Sequence, residues 1–214
     1  MNSLPLLYSF RRCPFAIRAR MALLASGQRV VLREVQLRDL PEQMLHLSRK
    51  GTVPMMLGAE GEVIEESLDV MLWCLQQADP QGWLQGAEEA GDWIRRNDED
   101  FKPLLDCYKY ADRHPQFSQS EHRQRALPFI EALEQRLQLQ SFLVTPQFGL
   151  ADAAILPFVR QFAGVEPDWF QQSRYEALRA WLTRMLESEF FALVMQKYPT
   201  WKAGDSPVYF PAAA

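Results

Sequence analysis

One stretch near the start of the chain constrains the fold more than any other. The residues from Leu6 to Gly27 read LLYSFRRCPFAIRARMALLASG. A short apolar strand over Leu4–Tyr8 leads through a tight connection to Cys13-Pro14, where a helical pattern begins. Proline is favoured at the first helical position because its missing N–H would have no partner there. The pattern therefore predicts a strand, a tight turn and a helix that has Cys13 at its N-cap.

This predicted position of Cys13 favours a reactive thiolate. A helix N-terminus offers unpaired N–H groups and the positive end of the helix dipole, and Arg11 and Arg12 stand close by in sequence. Such surroundings lower the pKa of a cysteine from about 8.5 to about 3.5–7.5. The alternative is a cysteine that only packs at the turn. Ala16 occupies the place of the second cysteine of a Cys-x-x-Cys pair, so any disulfide partner must be a small thiol or another protein.

Composition excludes several classes of function. A net charge of −4 and a pI near 5.5 argue against a nucleic-acid surface, which requires clustered basic residues. No apolar run approaches the ~18 residues that span a bilayer, and we expect neither a membrane segment nor a signal peptide. Three widely spaced cysteines suit a reducing, cytoplasmic location. The histidines show no ligand spacing, so we expect no metal site: His46, His114 and His122.

The N-terminal part of the chain alternates between strand and helix patterns. After the first helix, strands are expected over Arg29–Leu37, Met55–Leu57 and Val63–Glu65, and helices over Leu40–Leu47 and Glu66–Gln77. The short connection Gly58–Gly61 predicts an antiparallel hairpin. The order β-α-β-α-β-β-α is typical of a small α/β domain.

Beyond the linker Asp79-Pro80-Gln81-Gly82, the sequence predicts helices and no further strand. The expected helices are Ala87–Tyr110 with a kink at Pro103, Ser120–Leu139, one from Leu150, Ser173–Leu186, and Glu189–Lys197. Aromatic residues in the tail indicate that it packs against the fold, since free tails are usually polar. We predict two domains, 1–78 and 86–214.

Four short motifs occur in order along the chain: Tyr8-Ser9-x-Arg11-x-Cys13-Pro14-Phe15-Ala16, Thr52-Val53-Pro54, Ile64-Glu65-Glu66-Ser67 and Gly149-Leu150-Ala151-Asp152. Together they resemble the cysteine-type, Omega-like glutathione transferases, and the resemblance covers nearly the whole chain. It implies the glutathione transferase fold, with a thioredoxin-like N-terminal domain and an all-helical C-terminal domain. Asp152 is interpreted as structural, because it can bond back to the N–H of Gly149 at a helix start.

The resemblance also implies how glutathione would be bound. The backbone of Val53 would pair with the cysteinyl part, and Pro54 would be cis. Ser67 would hold the γ-glutamyl carboxylate at a helix N-terminus, and Glu66 would accept its ammonium group. The alternatives are an ordinary turn proline and ordinary helix-start residues, and Glu65 could take the place of Glu66.

One position departs from the Omega pattern. The family tends to carry a lysine before the Pro-Glu pair of its second helix, where it meets the glycyl carboxylate of glutathione. Leu40 stands there in this chain, before Pro41-Glu42. Arg38 is a candidate substitute, and the residue that holds the glycyl end is left open.

The implied activity is glutathione-dependent thiol transfer, or reductive deglutathionylation, through a disulfide between Cys13 and glutathione. Glutathione is then a co-substrate, no metal is used, and the other substrate is a small-molecule or protein disulfide or an electrophile. Phe15 and Tyr108 are candidates for its apolar wall, although aromatic residues at helical spacing are more often core. A homodimer is also implied.

Two other functions compete with this one. Other classes of the family use a Tyr or Ser hydroxyl near the end of the first strand to stabilise the glutathione thiolate for conjugation, and Tyr8 and Ser9 are both present. Some members bind partners without catalysis. Cys13 and the Glu66-Ser67 pair argue against a purely binding role.

Overall fold

The computed structural model describes residues 4–48 and 50–212 of the chain. The strands are β1 Leu6–Ser9, β2 Val30–Glu34, β3 Met55–Leu57, β4 Val63–Ile64 and β5 Val208–Phe210. The helices are α1 Pro14–Ser26, α2 Glu42–Leu47, α3 Ser67–Gln77, α4 Ala87–Arg95, α5 Lys102–Lys109, α6 Gln119–Leu139, α7 Leu150–Ala163, α8 Pro167–Gln172, α9 Glu176–Leu186 and α10 Glu189–Val194. A π-helical segment, Arg96–Phe101, separates α4 from α5, and a 3₁₀ turn, Ala111–Arg113, follows α5.

The chain divides into two compact units, which we call the N-terminal unit and the helical unit. The N-terminal unit consists of Met1–Gln81 and Ser188–Ala214, and the helical unit of Gly82–Glu187. The structure therefore groups the last segment with the first domain, whereas the sequence assigns it to the second. The reason is β5, which extends the N-terminal sheet. The outer limits of the predicted domains, Met1 and Ala214, lie outside the described residues.

The N-terminal unit is built on a mixed sheet with the strand order β4-β3-β1-β2-β5. β1 runs parallel to β2 and antiparallel to β3, and β3 and β4 form the antiparallel hairpin. The predicted order β-α-β-α-β-β-α and the fold class are confirmed. The expectation of no later strand is wrong, because β5 pairs antiparallel with β2, with Val30 opposite Phe210. The predicted packing of the tail is confirmed, since Phe210 is buried.

Both faces of this sheet are covered. Successive residues of a strand point to opposite faces, and Leu7 and Tyr8 of β1 are both fully buried. On the Tyr8 face, a cluster of buried residues includes Met44 from α2 and Val53. Helix α1 packs against α3 and α10. The loop that follows β1 is thus anchored on a fixed strand at one end and a fixed helix at the other.

Helix α1 has the predicted ends. Cys13 is the N-cap, Pro14 occupies the first turn, and Gly27 closes the helix in the left-handed region at φ +68°. Two arginines of α1, Arg18 and Arg20, have no exposed surface. Buried arginines need partners: Arg18 donates to the Ser67 hydroxyl at the start of α3, and Arg20 contacts Ser9 and Glu34 at the ends of β1 and β2.

The helical unit packs around aromatic rings. Phe101 stacks on Phe129 at 4.8 Å between ring centroids and lies 5.8 Å from Phe162. The predicted single helix over 87–110 is divided into α4, the π-helical segment and α5. Pro103 lies in the first turn of α5, and its missing N–H and its ring disfavour a regular helix at that point. Helix α8 was not predicted from the sequence.

Asp152 holds the start of α7 inside the helical unit. Its carboxylate accepts N–H bonds from Gly149 at 3.3 Å, Leu143 at 3.1 Å and the Trp181 indole at 2.9 Å. Gly149 has no side chain to return the bond, so only half of a reciprocal cap is present. Burial raises the pKa of Asp152 to about 6, against the three donors that favour the charged form. These contacts agree with a structural role.

Candidate functional site

The Cys13 loop, residues 10–13, presents the thiol at the end of β1. The Cys13 N–H donates to the Phe10 carbonyl at 2.9 Å, which closes a tight turn. The Cys13 side chain is half-buried. Its thiol donates to the Val53 carbonyl, with 3.5 Å between Sγ and the oxygen. The loop therefore brings the sulfur to a backbone group 40 residues away in sequence.

Val53 belongs to a turn that precedes β3. The Val53–Pro54 peptide bond is cis, as the resemblance implies. β3 begins at Met55, so the backbone of Val53 lies just outside the ladder. Backbone at such a strand end can pair with an extended peptide.

A cleft of about 410 Å³ opens beside this turn. Its lining combines residues from the start of α1, the turn before β3 and the start of α3: Phe15, Lys50, Thr52, Val53, Pro54, Glu65, Glu66 and Ser67. The structure thus brings together five of the residues that the sequence singled out, namely Phe15, Val53, Pro54, Glu66 and Ser67. The sulfur of Cys13 is tied to the same turn through the Val53 carbonyl.

The start of α3 supplies the polar end of the cleft. Glu66 is the N-cap, and Ser67 is the first helical residue and is buried. The Ser67 hydroxyl oxygen accepts from the Arg18 guanidinium at 3.4 Å. Because that oxygen already accepts a bond, the hydroxyl proton can be donated to a ligand oxygen. The helix N-terminus adds N–H groups and a favourable dipole for an anion.

Glu65 and Glu66 differ in their surroundings. The Ser48 hydroxyl donates to Glu65, whose side chain is 29% exposed. The Glu66 side chain is 67% exposed and pairs with Lys50 at 2.7 Å. Glu66 is therefore the more accessible carboxylate, and Glu65 is held against the neighbouring loop.

Tyr8 and Ser9, the candidate hydroxyls for conjugation, have no exposed surface. The Tyr8 hydroxyl accepts from Arg33 at 2.5 Å, and the Tyr8 ring packs edge-on against Trp201. The Ser9 hydroxyl accepts from Arg20 Nε at 2.9 Å. Both hydroxyls thus contact arginines in the interior of the N-terminal unit.

Comparison with family models identifies the chain. The model of the glutathione S-transferase N-terminal domain matches residues 7–82, and that of the C-terminal domain matches residues 81–184. The chain belongs to the glutathione S-transferase family. The two models meet at the boundary between the N-terminal unit and the helical unit.

Solved glutathione transferases have the same fold. A family member from Pseudomonas fluorescens, with two glutathione bound, is 14% identical at a TM-score of 0.79, covering 91% of this chain and 93% of that one. A glutathione transferase from Pseudomonas putida, with one glutathione disulfide per subunit, is 14% identical at a TM-score of 0.77, covering 91% of each. A possible glutathione S-transferase from Rhodopseudomonas palustris is 21% identical at a TM-score of 0.75, covering 92% and 100%. At these identities the likeness shows the fold alone.

Sequence reasoning missed Lys50 in this transferase. Lys50 lines the cleft and pairs with Glu66, and the hydrogen bond with Glu66 raises the pKa of the lysine. The position expected to hold a lysine is Leu40, whose side chain packs against the cluster around Tyr8. Arg38 is exposed and is not among the described residues that line the cleft. In the sequence, Lys50 stands directly before Gly51-Thr52-Val53-Pro54. Its place beside this turn is the feature from which a role in the cleft could have been predicted.

Tyr108, Cys74 and Cys107 are not among the described residues that line this cleft. Tyr108 is fully buried in the helical unit and donates its hydroxyl to Glu166 at 2.8 Å, while its ring packs against Phe162. Tyr108 therefore lies where a core aromatic residue lies, which is the alternative that its helical spacing indicates. We propose no substrate role for it. Burial raises the pKa of the Cys74 thiol to about 12, whereas Cys107 is half-buried.

The described part of this transferase has neither a cluster of metal-binding side chains nor a helix that could span a membrane. Within residues 4–48 and 50–212, no three His, Cys, Asp or Glu side chains are grouped so that they could hold a metal ion. Over the same residues, no helix has the length and apolar character needed to span a membrane.

Proposed function

We propose that this chain is a glutathione-dependent thiol transferase that works through a disulfide between Cys13 and glutathione. The observation that carries the proposal is the 3.5 Å contact between Cys13 Sγ and the Val53 carbonyl. Glutathione is an extended tripeptide with cysteine at its centre. A ligand that pairs its central residue with the backbone of Val53 brings its own sulfur beside that of Cys13.

The proposed reaction exchanges one disulfide for another. The Cys13 thiolate attacks the glutathionyl sulfur of a mixed disulfide, an S–S bond forms between Cys13 and glutathione, and the other thiol leaves as a thiolate. A second glutathione thiolate then attacks the glutathionyl sulfur of this adduct. Oxidised glutathione departs and the Cys13 thiolate is regenerated. Only this second glutathione is consumed as a thiol, and its oxidation balances the reduction of the thiol that left in the first step; no metal takes part.

The charged and polar residues of the cleft suit the charged groups of glutathione. The N-terminus of α3 and the Ser67 hydroxyl are placed to bind the γ-glutamyl carboxylate, and Glu66 to accept its ammonium group. Lys50 is our candidate for the glycyl carboxylate. Its pair with Glu66 is exposed to solvent, and such pairs are easily exchanged for ligand contacts.

Solved structures support glutathione as the ligand. The related proteins from Pseudomonas fluorescens and Pseudomonas putida were crystallised with glutathione and with glutathione disulfide, respectively. Both share the thioredoxin-like unit that carries the cleft in this chain.

The burial of Tyr8 and Ser9 favours thiol transfer over conjugation. Each hydroxyl is fully buried and accepts a bond from an arginine. A hydroxyl that stabilises the glutathione thiolate has to reach that sulfur, and neither does so without a rearrangement of the interior. Cys13 is half-buried and lies at the cleft turn.

Turnover with two kinds of substrate tests the proposal. We expect the wild type and the control variant Cys107→Ser to reduce a small mixed disulfide of glutathione, and Cys13→Ser to lose this activity. If Cys13→Ser keeps wild-type conjugation of an aromatic electrophile while Tyr8→Phe loses it, the conjugating alternative replaces ours. Retention on immobilised glutathione without turnover of either substrate would identify a binding protein.

The three widely spaced cysteines support a location in a reducing compartment, and the family resemblance supports an assembly. We propose a two-fold homodimer in the cytoplasm, and sedimentation of the purified protein tests the dimer.

A further inference from the structure

The Cys13 loop is held by a buried carboxylate from the neighbouring strand. Glu34, the last residue of β2, accepts the backbone N–H of Arg11 at 2.6 Å. Arg11 lies two residues before Cys13, inside the turn closed by the bond between the Cys13 N–H and the Phe10 carbonyl. The Glu34 side chain is 9% exposed. A bond from a backbone N–H to a charged, buried acceptor is stronger than one between neutral groups.

Arg20 fixes the other oxygen of Glu34. The Arg20 guanidinium forms an ion pair with Glu34 Oε2, and its side chain has no exposed surface. Its Nε donates to the hydroxyl of Ser9, the last residue of β1. The strand end before the loop and the loop N–H are therefore both bonded to one buried pair of charges.

The same ion pair reaches the C-terminal segment. Arg20 Nη1 donates to the carbonyls of Val194 at 3.4 Å and Gln196 at 3.5 Å, at the end of α10. The Trp201 N–H donates to the Glu34 carbonyl at 2.8 Å. The end of α10 and the segment after it thus contact both partners of the pair.

We propose that Glu34 is a positioning residue for Cys13, acting through the Arg11 N–H, and that Arg20 and the C-terminal segment hold Glu34 in place. Glu34 itself is not among the described residues that line the cleft. Its role is to fix the turn that keeps the thiol at the N-cap of α1 and against the Val53 carbonyl. This inference rests on the proposed function only where turnover is measured.

Two double variants separate positioning from stability. A buried ion pair can be replaced by apolar residues of similar volume without loss of stability. Arg20→Met with Glu34→Leu removes both charges and the acceptor for the Arg11 N–H. Arg20→Met with Glu34→Gln removes the charges but keeps an amide oxygen as acceptor. Glu134→Leu is the control, because Glu134 is a buried carboxylate of the helical unit that accepts the N–H groups of Ala177 and Leu178.

A single variant covers the case in which the double variants do not fold. Glu34→Asp keeps the charge that Arg20 requires but shortens the side chain by one methylene group. The shorter carboxylate cannot span the distance between the Arg11 N–H and Arg20 as Glu34 does. We expect it to fold and to loosen the loop.

The readouts are the rate of iodoacetamide labelling of Cys13 per folded molecule and the kcat and KM for glutathione. We expect the Leu double variant to lose about 10-fold or more in labelling and kcat, since small misplacements of a reacting group have effects of this size, with KM within about twofold. The Gln double variant should recover most of the loss. Glu34→Asp should lie between the wild type and the Leu variant, and Glu134→Leu should lower only the Tm.

Labelling by iodoacetamide needs no glutathione, so the experiment can refute the proposed function without refuting the positioning role of Glu34, and the reverse. If the wild type forms no glutathione adduct but labelling still depends on Glu34, the proposed function fails and the positioning role stands. Wild-type labelling of Cys13 in a folded Leu variant or in Glu34→Asp would overturn the positioning role. An equal loss in the Leu and Gln double variants would overturn it too.

Discussion

Each unit contains a buried carboxylate that accepts hydrogen bonds from backbone N–H groups, but the surroundings of the two carboxylates differ. Glu34 in the N-terminal unit is paired with the Arg20 guanidinium, and its other oxygen accepts the N–H of Arg11, two residues before Cys13. Asp152 in the helical unit receives N–H bonds from neutral groups around the start of α7. Burial raises the pKa of Asp152 to about 6.

From this difference we expect the two carboxylates to have different roles, one in activity and the other in stability. In the N-terminal unit, the buried ion pair contacts the Cys13 loop, which we propose serves chemistry at the cleft. In the helical unit, Asp152 joins three pieces of backbone and side chain that contribute to packing. Substitutions in the first unit should therefore change activity more than stability, and substitutions at Asp152 should do the opposite.

The largest expected effect on activity is that of Cys13→Ser. A serine hydroxyl cannot form the mixed disulfide, so we expect reduction of disulfides to fall to the uncatalysed rate. The Tm should stay near that of the wild type, because the two side chains are close in size and Cys13 is half-buried. Steady-state kinetics and calorimetry measure the two quantities. A large loss of Tm would mean that Cys13 is a packing residue.

The largest expected effect on stability is that of Asp152→Ala. The substitution leaves three buried N–H groups without their acceptor, which costs about 2–4 kcal/mol of unfolding free energy. Activity per folded molecule should remain near wild type. Denaturant titration and kinetics on the same sample check both statements. Unchanged stability with lost turnover would show that Asp152 has a catalytic role.

The pH dependence of stability sharpens the same contrast. Because burial raises the pKa of Asp152 from 3.8 to about 6, the unfolded chain releases this proton at lower pH than the folded chain. The contribution of Asp152 is therefore fully present below pH 3.8 and is lost as the pH rises through about 6, an effect on the order of 3 kcal/mol. We expect the wild type to lose stability relative to Asp152→Asn between pH 4 and 7. Parallel stability curves for the two proteins would contradict the shift.

The smallest expected effect is on glutathione affinity. Glu66→Ala should weaken binding by about 10- to 100-fold, the value of one charge-assisted hydrogen bond, and leave the Tm unchanged because Glu66 is exposed. Titration calorimetry with glutathione measures the affinity. Glu65→Ala is the matched control, and a larger loss in that variant would move the ligand contact to Glu65.

Local signals made much of the N-terminal unit predictable. The N-cap position of Cys13 and the left-handed Gly27 follow from proline and glycine at fixed places in a helical pattern. Val53, Pro54, Glu66 and Ser67 were found through the family resemblance, and the structure places them in one cleft. Each of these features depends on residues close to one another in sequence.

The missed features depend on distant partners. Strand β5 is three residues long and exists through its pairing with β2. The ion pair between Arg20 and Glu34 also reaches Val194, 174 residues beyond Arg20. In sequence, an arginine on α1 and a glutamate on a strand look like ordinary surface residues. Arg20 and Glu34 are buried through tertiary packing, and the periodic pattern of apolar residues in the sequence does not predict it.

The central claim is that Cys13 is the cysteine that reacts with glutathione. Intact mass after incubation with oxidised glutathione, followed by peptide mapping, tests it most directly. The account predicts one glutathione per chain, located on Cys13 and released by reductant, with Cys74 unmodified because its thiol is buried and its pKa is raised to about 12. An adduct on Cys107 with Cys13 unmodified, or no adduct at all, would contradict the account.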